Sequence, residues 1–420
     1  MKNNVIAVLD LGSTKIVCLI AYVDSSGKVT ITGIGHQISR GIKAGIIIDV
    51  QKAESSIVAA VSAAEKMAGE TIEKVYVNIS GTTLCSHSIS AETTISGHEI
   101  TARDISQIIA VGKKQFDRED TEILDCIPTN YKIDDTSGII DPRGMFGEKL
   151  STELHIVTCS PTAIKNIVNC LARCHLNVQE FISSPYASGL ACLTEDEKNL
   201  GVTLVDIGGG CTSISVFSGG NFAYTNSIAL GGNHITRDIA LGISTSTAHA
   251  ERIKTLYGST ISTSADKHEM IEIPFLENEG MDAVQEEEMP EMTQISKVQL
   301  TEIIKPRIEE ILEIIKNHLE SNKGEGVMGS RVVLTGGSSQ LSGIKELANH
   351  VYRKQIRLGR PEYIEGLAES TRGPAFSTAV GMLKYAAQKY NFSQGNVINF
   401  DSISKKGQIG KVVRWLQENF

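Results

Sequence analysis

A strand, an acidic glycine turn and a returning strand occur twice in this chain, and that duplication decides what it can fold into. The first copy is Val5-Ile-Ala-Val-Leu-Asp10-Leu-Gly12-Ser-Thr-Lys15, followed by the apolar run Ile16–Tyr22. The second is Gly201-Val-Thr-Leu-Val-Asp206-Ile-Gly208-Gly-Gly-Cys-Thr212, followed by Ser213–Phe217. Each hairpin leads to a third apolar run, Val29–His36 or Asn221–Leu230, and then to a helix. Glycine lets backbone N–H groups approach an anion closely, and consecutive N–H groups in a turn make a nest for phosphate oxygens. A carboxylate beside such a nest repels phosphate unless a divalent cation lies between them. Asp10 and Asp206 are therefore the expected Mg2+ residues, acting through water. Gly12, Ser13, Thr14 and Lys15 in one turn, and Gly208, Gly209, Gly210 and Thr212 in the other, are the expected phosphate contacts, with Lys15 as a point charge. One such turn is most often an ordinary hairpin. Two in matched strand contexts describe half-domains facing each other across a cleft.

A third element completes this site. Arg331-Val-Val-Leu-Thr335 runs into Gly336-Gly337-Ser338-Ser339, after which Gln340–Leu347 is expected to open a helix. Unsatisfied N–H groups at a helix start suit the α-phosphate and nucleoside end of a nucleotide, which makes Gly336, Gly337 and Ser338 candidate contacts. A plain strand-to-helix turn is the alternative. Together the three elements resemble the actin/Hsp70/sugar-kinase superfamily, in which two phosphate loops and an adenosine loop surround Mg-ATP. The resemblance implies an α/β fold of duplicated, ribonuclease-H-like domains, with ATP and Mg2+ as cofactors. Glu251 and Lys254 share a helix face at i and i+3. They would ordinarily be a modest surface pair; the resemblance adds ribose binding as a second reading.

At 420 residues the chain has room for two or more domains, and its 41% hydrophobic and 21% charged residues are globular proportions. No apolar run approaches the length of a bilayer span, and Asp10 comes too early for a signal peptide, so a cytoplasmic location is expected. Cys170-x-x-x-Cys174-His175 lacks a second ligand pair and reads as small buried side chains, not as a metal site. Between Asp266 and Glu291 ten acids face one base, Lys267, so this window accounts for the whole formal charge of −9. The rest of the chain is neutral, and no basic footprint supports a nucleic-acid partner.

Ala53–Met67 is helical by pattern, with Ile57, Val58, Val61, Ala64 and Met67 or Ala68 near one face, and Val75–Ser80 closes the first unit as a strand. Residues 81–160 break the rhythm: Thr82–Ser96 alternates, Thr101–Lys114 is amphipathic, and Ile123–Asp135 and Lys149–Cys159 read as strands. This is an inserted α+β subdomain without a catalytic constellation, expected to contact proteins. Pro161–His175 is a helix capped by Ser160, and Ser184-Pro185 starts another. Val298–Ser321 is a long helix broken or kinked at Pro306, with Ile304, Ile308, Ile311, Ile315 and Leu319 as its buried stripe. Ala375–Tyr385 is a final core helix, and residues 391–408 read as a linker. Beyond it Ile409, Val412, Val413, Leu416 and Phe420 fall in one helical arc, with Trp415 at its edge and Lys405, Lys406, Lys411 and Arg414 before or beside it. Apolar burial with basic flanks suits a helix lying in the plane of an anionic membrane surface. A core helix is the alternative.

These stretches resemble the FtsA family of bacterial cell-division proteins over nearly the whole chain. Ser39-Arg-Gly41, Lys165-Asn-Ile-Val168, Leu193-Thr-Glu-Asp-Glu197, Glu302-Ile-Ile-Lys-Pro-Arg307 and Ser377-Thr-Ala-Val-Gly381 add to the match. The resemblance implies an actin-like fold divided into subdomain 1A (1–80, 161–195 and a return at 361–390), an inserted 1C (81–160), 2A (196–227 and 299–360) and 2B (228–298). The linker (391–408) and an amphipathic C-terminal helix (409–420) follow. It implies self-association into filaments, and tethering of the FtsZ ring to the cytoplasmic face of the inner membrane at the division septum. The FtsZ C-terminal tail would dock on 2B and other divisome proteins on 1C. The acidic stretch within 2B departs from the family's usual length and charge. Relatives that turn over ATP place a water-orienting Glu or Gln near the helix that begins here at Ser184. From Phe181 to Leu193 this sequence has no Glu, Gln, Asp or His, so tight binding with slow turnover is expected. Two other readings share the fold: a small-molecule, sugar-type kinase and a pilus-assembly adaptor.

Overall fold

Mostly apolar runs separated by glycine turns become the central strands of two sheets. The computed structural model describes residues 4–116, 118, 120–274, 292–321, 329 and 331–393. The first unit comprises β1 (Val5–Leu11), β2 (Lys15–Val23), β3 (Val29–Ile38), the short pair β4 (Ile42–Lys43) and β5 (Ile46–Ile47), α1 (Val50–Ala68) and β6 (Lys74–Ile79). The insert follows as β7 (Cys85–Thr94), α2 (Ala102–Gln115), β8 (Glu122–Ile133), β9 (Thr136–Ile139) and β10 (Lys149–Cys159). The chain returns through α3 (Pro161–Arg173), β11 (Asn177–Ser183), α4 (Ser184–Cys192) and α5 (Glu195–Leu200). The second unit is β12 (Val202–Ile207), β13 (Thr212–Ser218), β14 (Asn221–Ile228), α6 (Gly232–Gly242), α7 (Thr247–Tyr257), β15 (Met270–Pro274), β16 (Met292–Ser296) and α8 (Lys297–Ser321). It closes with β17 (Arg331–Thr335), α9 (Ile344–Tyr352), β18 (Gln355–Leu358) and α10 (Ser377–Ser393).

The duplication is complete at the level of sheet topology. The first sheet has the order β11-β6-β1-β2-β3 and the second β14-β13-β12-β17-β18. In each, an antiparallel meander of three strands is extended by two parallel ones. A strand with neighbours on both edges and helices on both faces has no face for water. Ile6–Leu11 and Ile16–Ala21 are accordingly buried without a break.

The halves are joined by an exchange of helices. α4 follows β11 of the first sheet yet packs on β12 and β13 of the second, while α10 follows β18 and packs on β1, β2 and β6 of the first. α4 and α10 lie directly against each other. A Cβ on Gly381 would stand 1.7 Å from the Ala187 carbonyl oxygen, so the two backbones approach as closely as glycine permits. One apolar core consequently runs from the first sheet across to Phe217, Phe222 and Val333 of the second.

The insert has a core of its own. Its sheet runs β7-β10-β8-β9 beneath α2, and Ile105, Ile108, Leu150, Leu154 and Ile156 are buried together there. It also reaches the second half: His155 Nδ1 donates to the Phe222 carbonyl at 2.7 Å, and Asn221 Nδ2 donates to the Thr129 carbonyl at 3.3 Å.

Several expectations are corrected. α1 begins at Val50, where Asp49 accepts a hydrogen bond from the Lys52 N–H. It buries Ala53, Ser56, Ile57, Ala60, Val61 and Ala64, leaving Val58 and Met67 at 44% and 57% exposure. Small residues form its inner face because the sheet comes so close. Ser160 stands at the N-cap of α3 but makes no capping hydrogen bond with its side chain; Pro161 alone sets the helix start. α8 runs unbroken through Pro306, with the expected isoleucine stripe buried. Residues 391–393 belong to α10, where Asn391 Nδ2 donates to the Gly27 carbonyl at 3.0 Å, so the linker's first residues are helical. Cys170 is buried and Cys174 half-buried, and among the described residues no group of three or more metal-ligating side chains gathers.

The helix exchange generates a prediction. Gly381→Val forces α4 and α10 apart and should lower stability by about 1–3 kcal/mol, the usual cost of overpacking, read as a lower urea midpoint.

Candidate functional site

The two acidic turns have the same internal geometry. The Gly12 N–H donates to the Lys15 carbonyl at 3.1 Å, and the Gly208 N–H to the Cys211 carbonyl at 3.0 Å. In register, Asp10 opposes Val17 and Asp206 opposes Ser213, so each carboxylate leaves its strand just before the turn. The turns press against each other. A Cβ on Gly209 would fall 1.7 Å from Thr14 Oγ1, and one on Gly210 would fall 2.5 Å from Ser13 Oγ. Thr14 Oγ1 also lies 3.4 Å from Asn233 Oδ1 at the start of α6, and the Gly45 N–H donates to Ser13 Oγ at 3.3 Å. Glycine at 209 and 210 thus has a second purpose beyond an anion nest: it admits the hydroxyls of the opposite half.

α4 holds Asp206 directly and Asp10 through Asn78. Asp10 Oδ1 accepts from Asn78 Nδ2 at 2.8 Å, and Asn78 Oδ1 accepts from the Leu11 N–H at 2.6 Å. The Asn78 amide reaches Ser184 Oγ at 3.0 Å. One helical turn on, Ser188 Oγ donates to Asp206 Oδ2 at 2.6 Å, with Thr378 Oγ1 at 3.5 Å from the same oxygen. Burial pushes the Asp10 carboxyl up to about 7, against Lys15, which favours the charged form, and with Asp206, which opposes it. Asp206 is also raised by burial, offset by the hydrogen bonds from Ser188 and Thr378. Lys15 is pulled down to about 8 by burial, while both aspartates favour its charged form. Two carboxylates and one ammonium therefore stand within electrostatic reach of one another.

The third element meets them. Gly336 has φ of +85°, a conformation that favours glycine, and a Cβ there would lie 2.3 Å from Asp206 Oδ1. Ser338 Oγ donates to the Gly208 carbonyl at 3.4 Å. The turn continues as a 3-10 segment, Gly337–Gln340, and α9 begins only at Ile344, so the expected helix at Gln340 is replaced by this tighter turn. Gly343, with φ of +77°, separates the two. Lys254 is buried beside the same turns, donating to the Gly232 carbonyl at 3.1 Å, Thr236 Oγ1 at 2.8 Å and Glu251 Oε2 at 2.7 Å. The Glu251 side chain stays 43% exposed.

Gly12–Lys15, Gly208–Gly210, Gly336–Ser338, Glu251, Lys254 and both aspartates thus gather at the junction of the two halves. Thr212 stands apart: it is the first residue of β13 and its hydroxyl donates to the Leu230 carbonyl at 2.8 Å. Ile409, Val412, Val413, Arg414, Trp415, Leu416 and Phe420 lie outside the described residues. Sequence reasoning missed Asn78, Ser184, Ser188, Asn233 and Thr378. Asn78 alone carried a signal, a polar side chain within the otherwise apolar run Val75–Ile79.

The donor set fits a divalent cation held through water by two carboxylates and shared with phosphate oxygens, the arrangement Mg2+ favours over an all-protein cage. Of the α4 side chains, Ser184 and Ser188 are the ones whose hydroxyls reach this site.

Because burial raises Asp10 from 3.8 to about 7, the folded protein keeps a proton that the unfolded chain has released. The stability from this group is fully present below about pH 4 and is lost as pH rises through about 7, at up to about 1.4 kcal/mol per unit. Asp10→Asn should flatten that decline in urea unfolding measured between about pH 5 and 7 in metal-free buffer.

Comparison with known proteins follows the same lines. A family model described as Cell division protein FtsA matches residues 203–381, and one described as SHS2 domain inserted in FTSA matches residues 81–158. The chain is 40% identical over 433 residues to cell division protein FtsA of Agrobacterium fabrum, covering 100% of this chain and 96% of the relative. It is 34% identical over 426 residues to that of Pseudomonas aeruginosa, covering 100% and 99%, and 32% identical over 419 residues to that of Escherichia coli K12, covering 98% and 97%. Among solved structures, the PilM–PilN type IV pilus biogenesis complex is similar with a TM-score of 0.63 at 14% identity, covering 91% of this chain and 98% of that one. MreB5 of Spiroplasma citri bound to ADP is similar with a TM-score of 0.56 at 13% identity, covering 94% and 100%. At these identities the structural likeness speaks for an actin-like fold.

Proposed function

The chain belongs to the FtsA family of cell division proteins, and from that premise we propose that it binds Mg-ATP in its cleft, forms filaments on the membrane and holds the FtsZ ring there. The observation that carries the nucleotide part is the pair of equivalent turns, each preceded by an aspartate, Asp10 buried and Asp206 half-buried, brought together across the two halves. Solved structures of Spiroplasma citri MreB5, which shares the fold, contain ADP and AMPPNP and support the reading.

Bound Mg2+ would neutralise the charge between phosphate and carboxylates. Asp10 and Asp206 would hold it through water, their oxygens oriented by Asn78, Ser188 and Thr378. The N–H groups of Gly12–Thr14 and Gly208–Gly210 would face the β- and γ-phosphates, with Lys15 as a point charge. Gly336–Ser338 would line the α-phosphate. The partly exposed Glu251, oriented by Lys254, would accept from a ribose hydroxyl. Neither Ser184 nor Ser188 is a base, so turnover should be slow.

Among the described residues no helix is long and apolar enough to cross a membrane. Attachment is assigned to the amphipathic segment Ile409–Phe420, which by itself should bind only marginally, as one lipid chain does. Stacking many copies in a filament multiplies such weak anchors through effective concentration. The FtsZ tail would dock on residues 228–298 and other divisome proteins on the insert, at the cytoplasmic face of the inner membrane in the septum. The pilus-adaptor reading draws on a structural likeness at 14% identity, whereas near-complete relatives at 32–40% identity carry the cell-division name.

Asp206→Ala should lower Mg-ATP affinity at least about tenfold, by removing a charged ligand, and abolish ATP-dependent sedimentation. Unchanged affinity would refute the cleft assignment. Deleting residues 405–420 should leave nucleotide binding intact and end co-sedimentation with anionic vesicles. Capture of the intact chain by an FtsZ C-terminal peptide tests the tether.

A further inference from the structure

Lys15 does not project freely into the cleft. Its ammonium nitrogen lies 3.2 Å from the ring centroid of Phe376, contributed by a segment far away in the chain. Phe376 ends a 3-10 turn, Pro374–Phe376, that is fastened on several sides. Its N–H donates to the Gly373 carbonyl at 3.0 Å, and the next residue's Ser377 Oγ donates to the Pro374 carbonyl at 2.8 Å. Ser377 Oγ also lies 2.7 Å from Thr335 Oγ1 at the end of β17. His36 meets the ring edge-on, with centroids 6.1 Å apart. Two residues beyond Phe376, Thr378 approaches Asp206 at 3.5 Å and Ser188 at 3.0 Å. One corner of the fold therefore touches both the ammonium and one of the carboxylates.

We propose that Phe376 is a positioning residue for nucleotide binding: its ring face carries the Lys15 ammonium and keeps it available to phosphate instead of collapsed onto Asp10 or Asp206. This rests on the nucleotide reading above. A lysine stem is flexible, and its strongly hydrated head, once desolvated beside two carboxylates, is drawn to whichever oxygen it can reach. A hydrogen-bonded acceptor would hold the head but consume its donors. An aromatic face attracts the cation through its quadrupole and has no lone pair to fix the head, so N–H donors turned away from the ring remain for phosphate oxygens. The burial that pulls Lys15 down to about 8 makes any support for the charged form matter near neutrality. Phe376 is also partly buried against the main core, so simple packing is the competing account.

A double-mutant cycle separates the two. Mg-ATP affinity is measured by calorimetry for the full chain, Phe376→Leu, Lys15→Met and the double variant, with Phe376→Tyr as the conservative control. Phe376→Leu should weaken binding roughly 2- to 30-fold, the span of a cation–π contact from exposed to desolvated. Phe376→Tyr should bind within about twofold of the parent, and in the Lys15→Met background Phe376→Leu should add no further loss. If Phe376→Leu fails to fold, Phe376→Met, of similar volume and without a π face, carries the same cycle. Equal losses in both backgrounds, or no loss in the single variant, would overturn the role of Phe376 while leaving the nucleotide site standing. Absence of Mg-ATP binding by the unaltered protein would overturn both.

Discussion

Two carboxylates, each at the end of a central strand, are held out of water facing one lysine, and the rest of the molecule is arranged around that arrangement. Burying an ionised carboxylate is expensive unless it is paired or hydrogen-bonded, and removing one member of such a group leaves the others uncompensated. The chain meets the demand from several directions. Asn78 and Ser184 serve Asp10; Ser188 and Thr378 serve Asp206; Lys15 faces both and rests on Phe376. These partners come from the first sheet, the Pro374–Phe376 turn and both exchanged helices, while the two aspartates stand on different sheets, so the site exists only when the halves are docked.

Helix exchange explains how a site of this kind can communicate with the rest of the protein. α4 carries Ser184 and Ser188 one turn apart; Ser188 contacts Asp206 directly, and Ser184 contacts the Asn78 amide that donates to Asp10. α10 begins at the corner bearing Ser377 and Thr378, crosses α4 at Gly381 and ends beside the first sheet, where Tyr390 donates to Asn4 at 2.8 Å. A change in spacing between the two acidic turns must move these helices, because close-packed backbones at Ala187 and Gly381 leave no slack to absorb it. The insert is tied to both halves. It is part of the first half by chain order, yet His155 and Thr129 tie it to β14 of the second.

The places where sequence reasoning and structure part company have local physical causes. Val58 and Met67 looked buried because a helical wheel weighs hydrophobicity, whereas close approach of a sheet selects for small residues such as Ala53, Ala60 and Ala64. The helix expected at Gln340 yields to a 3-10 turn because Gly343 adopts a left-handed conformation and restarts the helix behind it. Thr212 lies two residues past the last glycine, and pairing with Ile207 draws it into the ladder, where its hydroxyl serves Leu230.

What the residues alone determined is everything that depends on neighbours in the chain: the apolar strand runs, the glycine turns, the aspartate at each turn, and therefore the duplicated sheets. Periodicity and turn chemistry act over a few residues, and they are legible wherever local preference and global fold agree. Only the tertiary structure decided which hydroxyls and amides answer those aspartates, that Gly209 and Gly210 admit the opposite turn, and that Phe376 lies beneath Lys15. Such contacts join strands and helices far apart in the chain, and no spacing in one sequence encodes a distance that arises from how two halves pack.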